Sequence, residues 1–154
     1  MFMLMAFHGK FDMKVKCHGD TYVDDHHTIV DIGIALGQCV KGALGDRCGI
    51  KRYSTVFIPM DEALAQTSID VSNRPYLVFN AEFTDERVGN MTTQMVKEFF
   101  RAFVNESRVT LHINLLYGEN DHHKIEAIFK SFARALKDAI KIISDEVASS
   151  KGVL

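Results

Sequence analysis

Asp24-Asp25-His26-His27 recurs near the end of the chain as Asn120-Asp121-His122-His123, at an offset of 122 − 26 = 96 residues. The same offset aligns, without a gap, the alternating apolar residues before each motif and the helically spaced apolar residues after it. Chance can give one matching histidine pair, but not a register that holds on both flanks. The sequence therefore predicts a single domain over 1–154 made of two related halves, at about 1–50 and about 92–148.

Each half is predicted to contain a strand, a polar corner and a helix that begins at the histidine pair. Apolar and polar residues alternate over 11–17 and over 109–113, as in a half-buried strand. The apolar residues that follow each pair are three and four apart, which is typical of an amphipathic helix. Asp25 and Asp121 stand where helix N-caps belong, and Gly45 stands where the first helix would end.

Three strands and a helix are predicted between the two histidine motifs. Pro59 and a corner at 72–75 separate the strands, although residues 62–65 could open a short helix instead. No strand–helix–strand order typical of a parallel sheet is visible, so the predicted class is α+β with antiparallel strands. The predicted strands cover 53–58, 62–71 and 76–83, and the predicted helix covers 92–105.

Composition and charge exclude several classes of protein. The net charge is −2 and the basic residues are scattered, so we expect no nucleic-acid partner. No apolar run approaches the ~20 residues that span a bilayer, so we expect no membrane partner. Cys17, Cys39 and Cys48 are odd in number and form no close pair, which indicates free thiols in a reducing, cytoplasmic compartment.

The paired histidines are the strongest indication of chemistry. Packing has no need for two histidine pairs at helix starts behind acidic residues, so the duplicated motif predicts metal binding. His122 and Glu126 are four residues apart and share one helix face. Imidazole nitrogens with a carboxylate form a ligand set for Mn, Fe, Zn or Ni. The neighbouring acids are expected to orient the rings by accepting hydrogen bonds from them: Asp24, Asp25 and Asp121.

Residues 24–28 with 31–37, and residues 118–130, resemble the two signatures of the imidazoleglycerol-phosphate dehydratases. Shorter matches follow in the same order at 52–53, 59–64, 74–75, 110–112 and 149–152. The resemblance implies a ribosomal protein S5 domain 2-like fold with helices packed between β-sheets. It implies loss of water from D-erythro-imidazole glycerol phosphate, giving imidazole acetol phosphate, in histidine biosynthesis. It also implies two Mn2+ ions (or other divalent metals) per site and a large homo-oligomer with sites at subunit interfaces.

The resemblance also assigns roles to individual residues. It implies that His26, His27, His122, His123 and Glu126 are metal ligands, and that Glu126 is the catalytic group that carries a proton. Glu98 stands where relatives carry a histidine or glutamate near the metal, which makes it a further candidate ligand. Five residues match positions that bind the phosphate of the small-molecule substrate, and guanidinium, ammonium and hydroxyl groups suit a phosphate dianion: Arg52, Arg74, Lys130, Ser149 and Lys151.

The chain departs from the family pattern at three places. Val30 stands at the position equivalent to Glu126, where a carboxylate ligand is expected. The family has an N-terminal stretch, including a histidine ligand, that would precede Met1, so we expect the domain to be incomplete at its N-terminus. Asn73 and Ser54 replace glycines.

Three hypotheses for function follow from these observations. The first is a hydro-lyase of this family, with activity weakened by Val30 and by the absent ligand. The second is an impaired or non-catalytic subunit that keeps the fold and the assembly surface. The third is a metal-dependent hydrolase with the same ligands, which the phosphate-binding set makes the weakest of the three.

Overall fold

Two helices cover one face of a four-stranded sheet, and two further helices pack on the outside of those two. The computed structural model describes residues 1–154. Helix α4 packs on β1 and β2, and helix α3 packs on β3. Helix α1 in turn packs on α4, and helix α2 packs on α3. The elements are α1 (Phe2–Gly9), α2 (His26–Leu44), β1 (Tyr53–Met60), β2 (Ala63–Asp70), β3 (Tyr76–Asn80), β4 (Arg87–Val88), β5 (Met91–Thr92), α3 (Gln94–Ser107), β6 (Thr110–Tyr117) and α4 (Asp121–Ala139).

The sheet has the strand order β1-β2-β6-β3 and confirms the predicted α+β class. Strand β2 is antiparallel to both of its neighbours, but β3 and β6 are parallel. Because α3 connects these two parallel strands, the chain does contain a β–α–β unit, and the prediction of antiparallel strands alone is wrong. The short run 76–80 carries no signal that distinguishes a parallel from an antiparallel partner.

Strands β1 and β2 form a hairpin, so the alternative of a short helix at 62–65 is wrong. Pro59 lies inside β1, opposite Leu64, and does not separate the strands. It is tolerated there because β1 is an edge strand, where a missing N–H costs no ladder hydrogen bond. The chain reverses instead at Asp61 and Glu62, and Asp61 adopts a left-handed conformation with φ of 47°.

The predicted strand over 11–17 is wrong, because these residues form no ladder with any other part of the chain. Alternation reports which side chains are half-buried, but a strand also needs a neighbour that accepts its hydrogen bonds. The segment instead lines an apolar cleft of about 800 Å³ with α2, Leu136 and Ile140. The strand predicted in the second half is confirmed as β6, with Leu111 and Ile113 fully buried.

The helix predicted over 92–105 is confirmed as α3, two residues further along. Its inner face is buried and packs against α4 through a cluster of aromatic rings with centroids about 5 Å apart. Burial of large aromatic side chains contributes strongly to the hydrophobic stabilisation of a core. The cluster consists of Phe99, Phe100, Phe103, Phe129 and Phe132.

Helix α2, which carries the first histidine pair, lies unusually close to α3. A Cβ at Gly33 would lie 2.8 Å from the Phe99 carbonyl oxygen, and one at Gly37 would lie 2.6 Å from that of Phe103. The two glycines are one helical turn apart, so together they form a flat strip that lets the two helix backbones approach each other. Helix α2 ends at Gly45, as predicted, with φ of 52°.

Candidate active site

The second histidine pair occupies the first turn of α4. The N-cap is Asn120, one residue before the predicted Asp121, and its side chain accepts hydrogen bonds from the backbone N–H groups of His122 and His123. One turn along the helix, Glu126 Oε1 lies 3.4 Å from His122 Nε2. A carboxylate oxygen and an imidazole nitrogen are therefore in contact on the same face of the helix.

Glu62, in the β1–β2 turn, fixes the ring of His123. Its Oε2 lies 2.7 Å from His123 Nδ1, and its Oε1 accepts the backbone N–H groups of Glu119 and Asn120. The contact with His123 and these amides lowers the pKa of Glu62 to about 2, and Glu62 in turn raises the pKa of His123. A carboxylate at Nδ1 keeps the proton on that nitrogen, so the lone pair is on Nε2, which lies 3.8 Å from Asp61 Oδ2.

Lys130 continues the polar row along α4. Its Nζ lies 2.7 Å from Glu126 Oε2 and 3.1 Å from the sulfur of Met60. The ammonium group lowers the pKa of Glu126, although burial works in the opposite direction. The Glu126 side chain is therefore ionised near neutral pH, which is the form that binds a metal or accepts a proton.

The first histidine pair occupies the first turn of α2, where the rings of His26 and His27 are 6.0 Å apart and both residues are exposed. Asp20 Oδ2 lies 2.8 Å from His27 Nδ1 and raises the pKa of that histidine. Asp20 thus fixes the ring of His27 through a contact with Nδ1, as Glu62 fixes the ring of His123. Val30, at the position equivalent to Glu126, offers no donor atom.

The acids next to the histidine pairs do not orient the rings, so that prediction is wrong. The N-cap of α2 is Asp25, as predicted, but its side chain makes no capping hydrogen bond, and Asp24 Oδ1 accepts the backbone N–H of His26 instead. The carboxylates of Asp25 and Asp121 accept backbone N–H groups of the segment 84–92. Backbone amides, at the helix start for Asp24 and in the segment 84–92 for the other two, therefore take the carboxylates in place of the rings.

A single chain does not assemble a complete set of metal ligands. Each histidine pair is in ring contact within itself but not with the other pair. Glu98 forms an ion pair with Arg101, with 3.0 Å between Oε2 and Nη1, and forms none with a histidine. No three side chains of the histidine, cysteine, aspartate or glutamate type converge in a way that could hold an ion.

The predicted phosphate-binding residues divide between the two ends of β1. Arg52 immediately precedes this eight-residue strand, whereas Lys130 contacts Met60, its last residue. At about 3.3 Å per residue, the two ends are roughly 23 Å apart. One chain therefore does not bring all five residues around one phosphate group.

Arg52 and Arg74 meet at Asp70. The Arg52 guanidinium donates to both Asp70 oxygens and, at 2.6 Å, to the carbonyl of Ala148. Arg74 Nη2 lies 3.3 Å from the same carboxylate, but 65% of its side chain is exposed. Next to Ala148, the Ser149 hydroxyl accepts the backbone N–H of Lys151. The structure thus brings the two arginines and the 148–151 tail together, and of the two only Arg74 has an open guanidinium.

Sequence reasoning missed Asp20 and Glu62, the two acids that hold histidine rings. Glu62 is 61 residues from His123 in the chain, and the repeat position of Asp20 is Leu116, so the repeat does not indicate either contact. Asp20 precedes His27 by seven residues within a corner that has no regular structure.

A family model described as imidazoleglycerol-phosphate dehydratase matches residues 1–136. A protein of that name from Clostridioides difficile is 71% identical over 154 residues, covering 100% of this chain and 80% of the relative. The chain belongs to the imidazoleglycerol-phosphate dehydratase family. A family member from Caldicellulosiruptor saccharolyticus is 55% identical, over 100% of this chain and 79% of its own length.

Solved structures of the family share the fold. The imidazoleglycerol-phosphate dehydratase of Staphylococcus aureus has a TM-score of 0.87 at 46% identity, covering 92% of this chain and 80% of that one. The enzyme from Pyrococcus furiosus, solved in complex with (S)-C348, also has a TM-score of 0.87, at 36% identity, covering 99% of this chain and 83% of that one. No helix of this chain has both the length and the apolar character needed to cross a membrane.

Proposed function

We propose that this chain acts in the cytoplasm as a metal-dependent dehydratase of imidazole glycerol phosphate, in histidine biosynthesis. The family supports the reaction class, a hydro-lyase that breaks a carbon–oxygen bond and releases water. The observation that carries the metal dependence is the second histidine pair, in which His122 Nε2 lies 3.4 Å from Glu126 Oε1 on one helix face. Packing gives no reason for that arrangement on an exposed helix start.

The donor set at this point fits a divalent ion such as Mn2+. Imidazole nitrogen and carboxylate oxygen are suitable ligands for it, and Glu62 keeps His123 in the tautomer that presents Nε2. Asp20 keeps His27 in the corresponding tautomer. When bound, such an ion supplies Lewis acidity toward the imidazole of the substrate.

Glu126 is the residue we propose as proton carrier. Dehydration removes a hydrogen from one carbon of the glycerol chain and a hydroxyl group from its neighbour. Lys130 keeps the Glu126 carboxylate ionised, so the carboxylate is ready to accept a proton and to return it to the leaving hydroxyl. The 16% exposure of the Glu126 side chain leaves it partly shielded from water, which strengthens both of its interactions.

Phosphate recognition is proposed to combine residues of two subunits. Lys130 lies next to the proposed metal ligands, whereas the open guanidinium of Arg74 lies at the far end of β1. A copy of the chain that places its Arg74 end against the Lys130 end of another would complete the set with Ser149 and Lys151. Arg52 would support this end by holding Asp70 and the tail carbonyl of Ala148.

The same reasoning supports a large homo-oligomer. Divalent Mn takes about six ligands, and the second histidine pair with Glu126 supplies at most three. We propose that the remaining ligands come from His26, His27 and Glu98 of other copies. Light scattering that finds a clean monomer with metal bound at full affinity would contradict this arrangement.

Val30 favours a second candidate function, an impaired subunit that keeps the fold but binds less metal. A missing carboxylate removes both a metal–oxygen bond and a negative charge from the first half. Even the loss of a group that only hydrogen-bonds to a metal ligand lowers metal affinity by ~10–100-fold. The experiment compares metal content and dehydratase activity of the native chain, Val30→Glu and the matched control Ala35→Glu, which adds a carboxylate five residues further along α2.

We expect Val30→Glu to raise the metal content and Ala35→Glu to leave it unchanged. Turnover is expected to rise less than metal content. Full metal content with brisk activity in the native chain would reject the impaired-subunit hypothesis and support the active dehydratase. Absence of metal binding in all three proteins would reject the proposed metal dependence.

A further inference from the structure

The segment 84–92 forms a hairpin, built from β4 and β5, that is held at both ends by carboxylates. Asp121 Oδ2 accepts the backbone N–H groups of Thr84 and Asp85, both at 2.7 Å. Asp25 accepts the N–H of Thr92 at 2.6 Å and the hydroxyl of Thr92 at 2.8 Å. The base of the hairpin is therefore connected to two different helices.

The two carboxylates are equivalent in the duplicated chain, since 121 − 25 = 96. Each one immediately precedes a histidine pair, so each belongs to the start of a helix that carries candidate metal ligands. One segment thus contacts the same repeat position in both halves.

Both carboxylates accept more than one hydrogen bond. Lys124 Nζ donates to Asp121 Oδ1 at 2.7 Å, beside the two backbone N–H groups that donate to Oδ2. Asp25 accepts the Thr92 N–H on one oxygen and the Thr92 hydroxyl on the other. Hydrogen bonds that involve a charged partner are roughly twice as strong as neutral ones, which favours both connections.

Hydrogen bonds close the base of the hairpin. The Thr93 hydroxyl donates to the Asp85 carbonyl at 2.8 Å, and the Thr93 N–H donates to the Glu86 carbonyl at 2.9 Å. Thr92, which contacts Asp25, pairs with Arg87 in the β4–β5 ladder. The closed hairpin therefore joins the two helix starts.

We propose that Asp25 and Asp121 are positioning residues that fix, through the 84–92 hairpin, the spacing between the two histidine pairs. The inference rests on the proposed function for its consequence, because each histidine pair must meet ligands of another copy, and ligand groups must be held within about 0.5 Å for tight metal binding. The coupling of the two helix starts does not depend on metal. The coupling predicts that substitution of one carboxylate also affects the start of the helix that carries the other carboxylate.

The experiment uses Asp121→Asn and Asp25→Asn, with Asp46→Asn as matched control. Asp46 also accepts a backbone N–H near a helix end, that of Cys48, but it does not contact the hairpin. The first measurement is amide hydrogen exchange in metal-free protein. Asp121→Asn is expected to speed exchange at its own partners Thr84 and Asp85, and also at Thr92 and in the first turn of α2, which Asp121 does not touch.

The second measurement is Mn2+ binding by calorimetry, where both hairpin variants should bind about 10-fold more weakly than wild type and Asp46→Asn should not. Faster exchange confined to Thr84 and Asp85, or unchanged Mn2+ affinity in variants with faster exchange, would overturn the positioning role. If wild-type protein binds no Mn2+ while exchange spreads from one helix start to the other, the coupling stands and the proposed metal function fails.

Discussion

The contact between α2 and α3 gives a prediction with a matched control in the same helix. Gly37 and Gly42 both lie inside α2, and replacing either with alanine gains helix propensity of about 1 kcal/mol. A Cβ at Gly42 meets nothing within 4 Å. A Cβ at Gly37 would lie 2.6 Å from the Phe103 carbonyl oxygen and 2.7 Å from Glu106 Cβ. The two substitutions therefore differ only in what the added methyl group meets.

The magnitude follows from the distances. Ordinary contacts between such atoms are about 3.5–4.0 Å, so α2 and α3 must separate by roughly 1 Å to accept the methyl group at Gly37. Overpacking of this kind costs about 1–3 kcal/mol. We expect Gly42→Ala to stabilise the protein by about 1 kcal/mol. Gly37→Ala should be neutral to about 2 kcal/mol destabilised, since the propensity gain offsets part of the strain.

Urea and thermal unfolding of the two variants and the wild type provide the assay. For a chain of this length, 1 kcal/mol corresponds to roughly 2–4 °C, so a difference of about 1–3 kcal/mol between the two variants should separate their Tm values by roughly 2–12 °C, with Gly42→Ala the higher. Equal Tm values would refute the close contact between the helices. The result matters for function because this contact holds the helix that begins with His26 and His27.

Three other changes test separate parts of the structure. Arg47 is 6% exposed, and its Nε and Nη2 have no hydrogen-bond partner. Arg47→Met should therefore raise the free energy of unfolding by about 1–2 kcal/mol. A lower Tm in this variant would show that the guanidinium has a partner. Lys51 and Ser54 lower the pKa of Asp138 below its ordinary 3.8. The ionised Asp138 side chain therefore stabilises the folded protein above pH 3.8, and this stabilisation is lost as the pH falls through the lower pKa of the folded state. Asp138→Asn should therefore have a lower Tm than wild type at pH 7, with the difference vanishing in acid. Arg74→Gln should weaken binding of the phosphate substrate by roughly 1.5–3 kcal/mol without changing metal content, and unchanged affinity in titration calorimetry would contradict its proposed role.

The local periodicity of the sequence was enough to predict most of the helices and strands. Helix α3, strand β6 and the β1–β2 pair lie within a few residues of the predicted ranges because each buries one face, and burial of one face leaves its period in the sequence. The segment 11–17 shows the limit of this reasoning. Its alternation is as clear as that of β6, but no strand pairs with it.

The candidate site, too, was predicted only in part from the sequence. The 96-residue repeat alone identified the two histidine pairs and the equivalence of Val30 with Glu126. Only the tertiary structure decided which acids serve the rings: Glu62 and Asp20 do, whereas Asp25 and Asp121 bind the 84–92 hairpin.

The physical reason is that a repeat or a period is a property of neighbouring residues, whereas a hydrogen bond is decided by geometry. Sequence therefore determined which chemical groups this protein has and on which helix faces they lie. The folded chain decided which donor each carboxylate meets, because contacts such as that of Glu62 with His123 join residues 61 positions apart. For the same reason, the parallel pairing of β3 with β6 was decided by the packing of α3 across the sheet rather than by the residues of either strand.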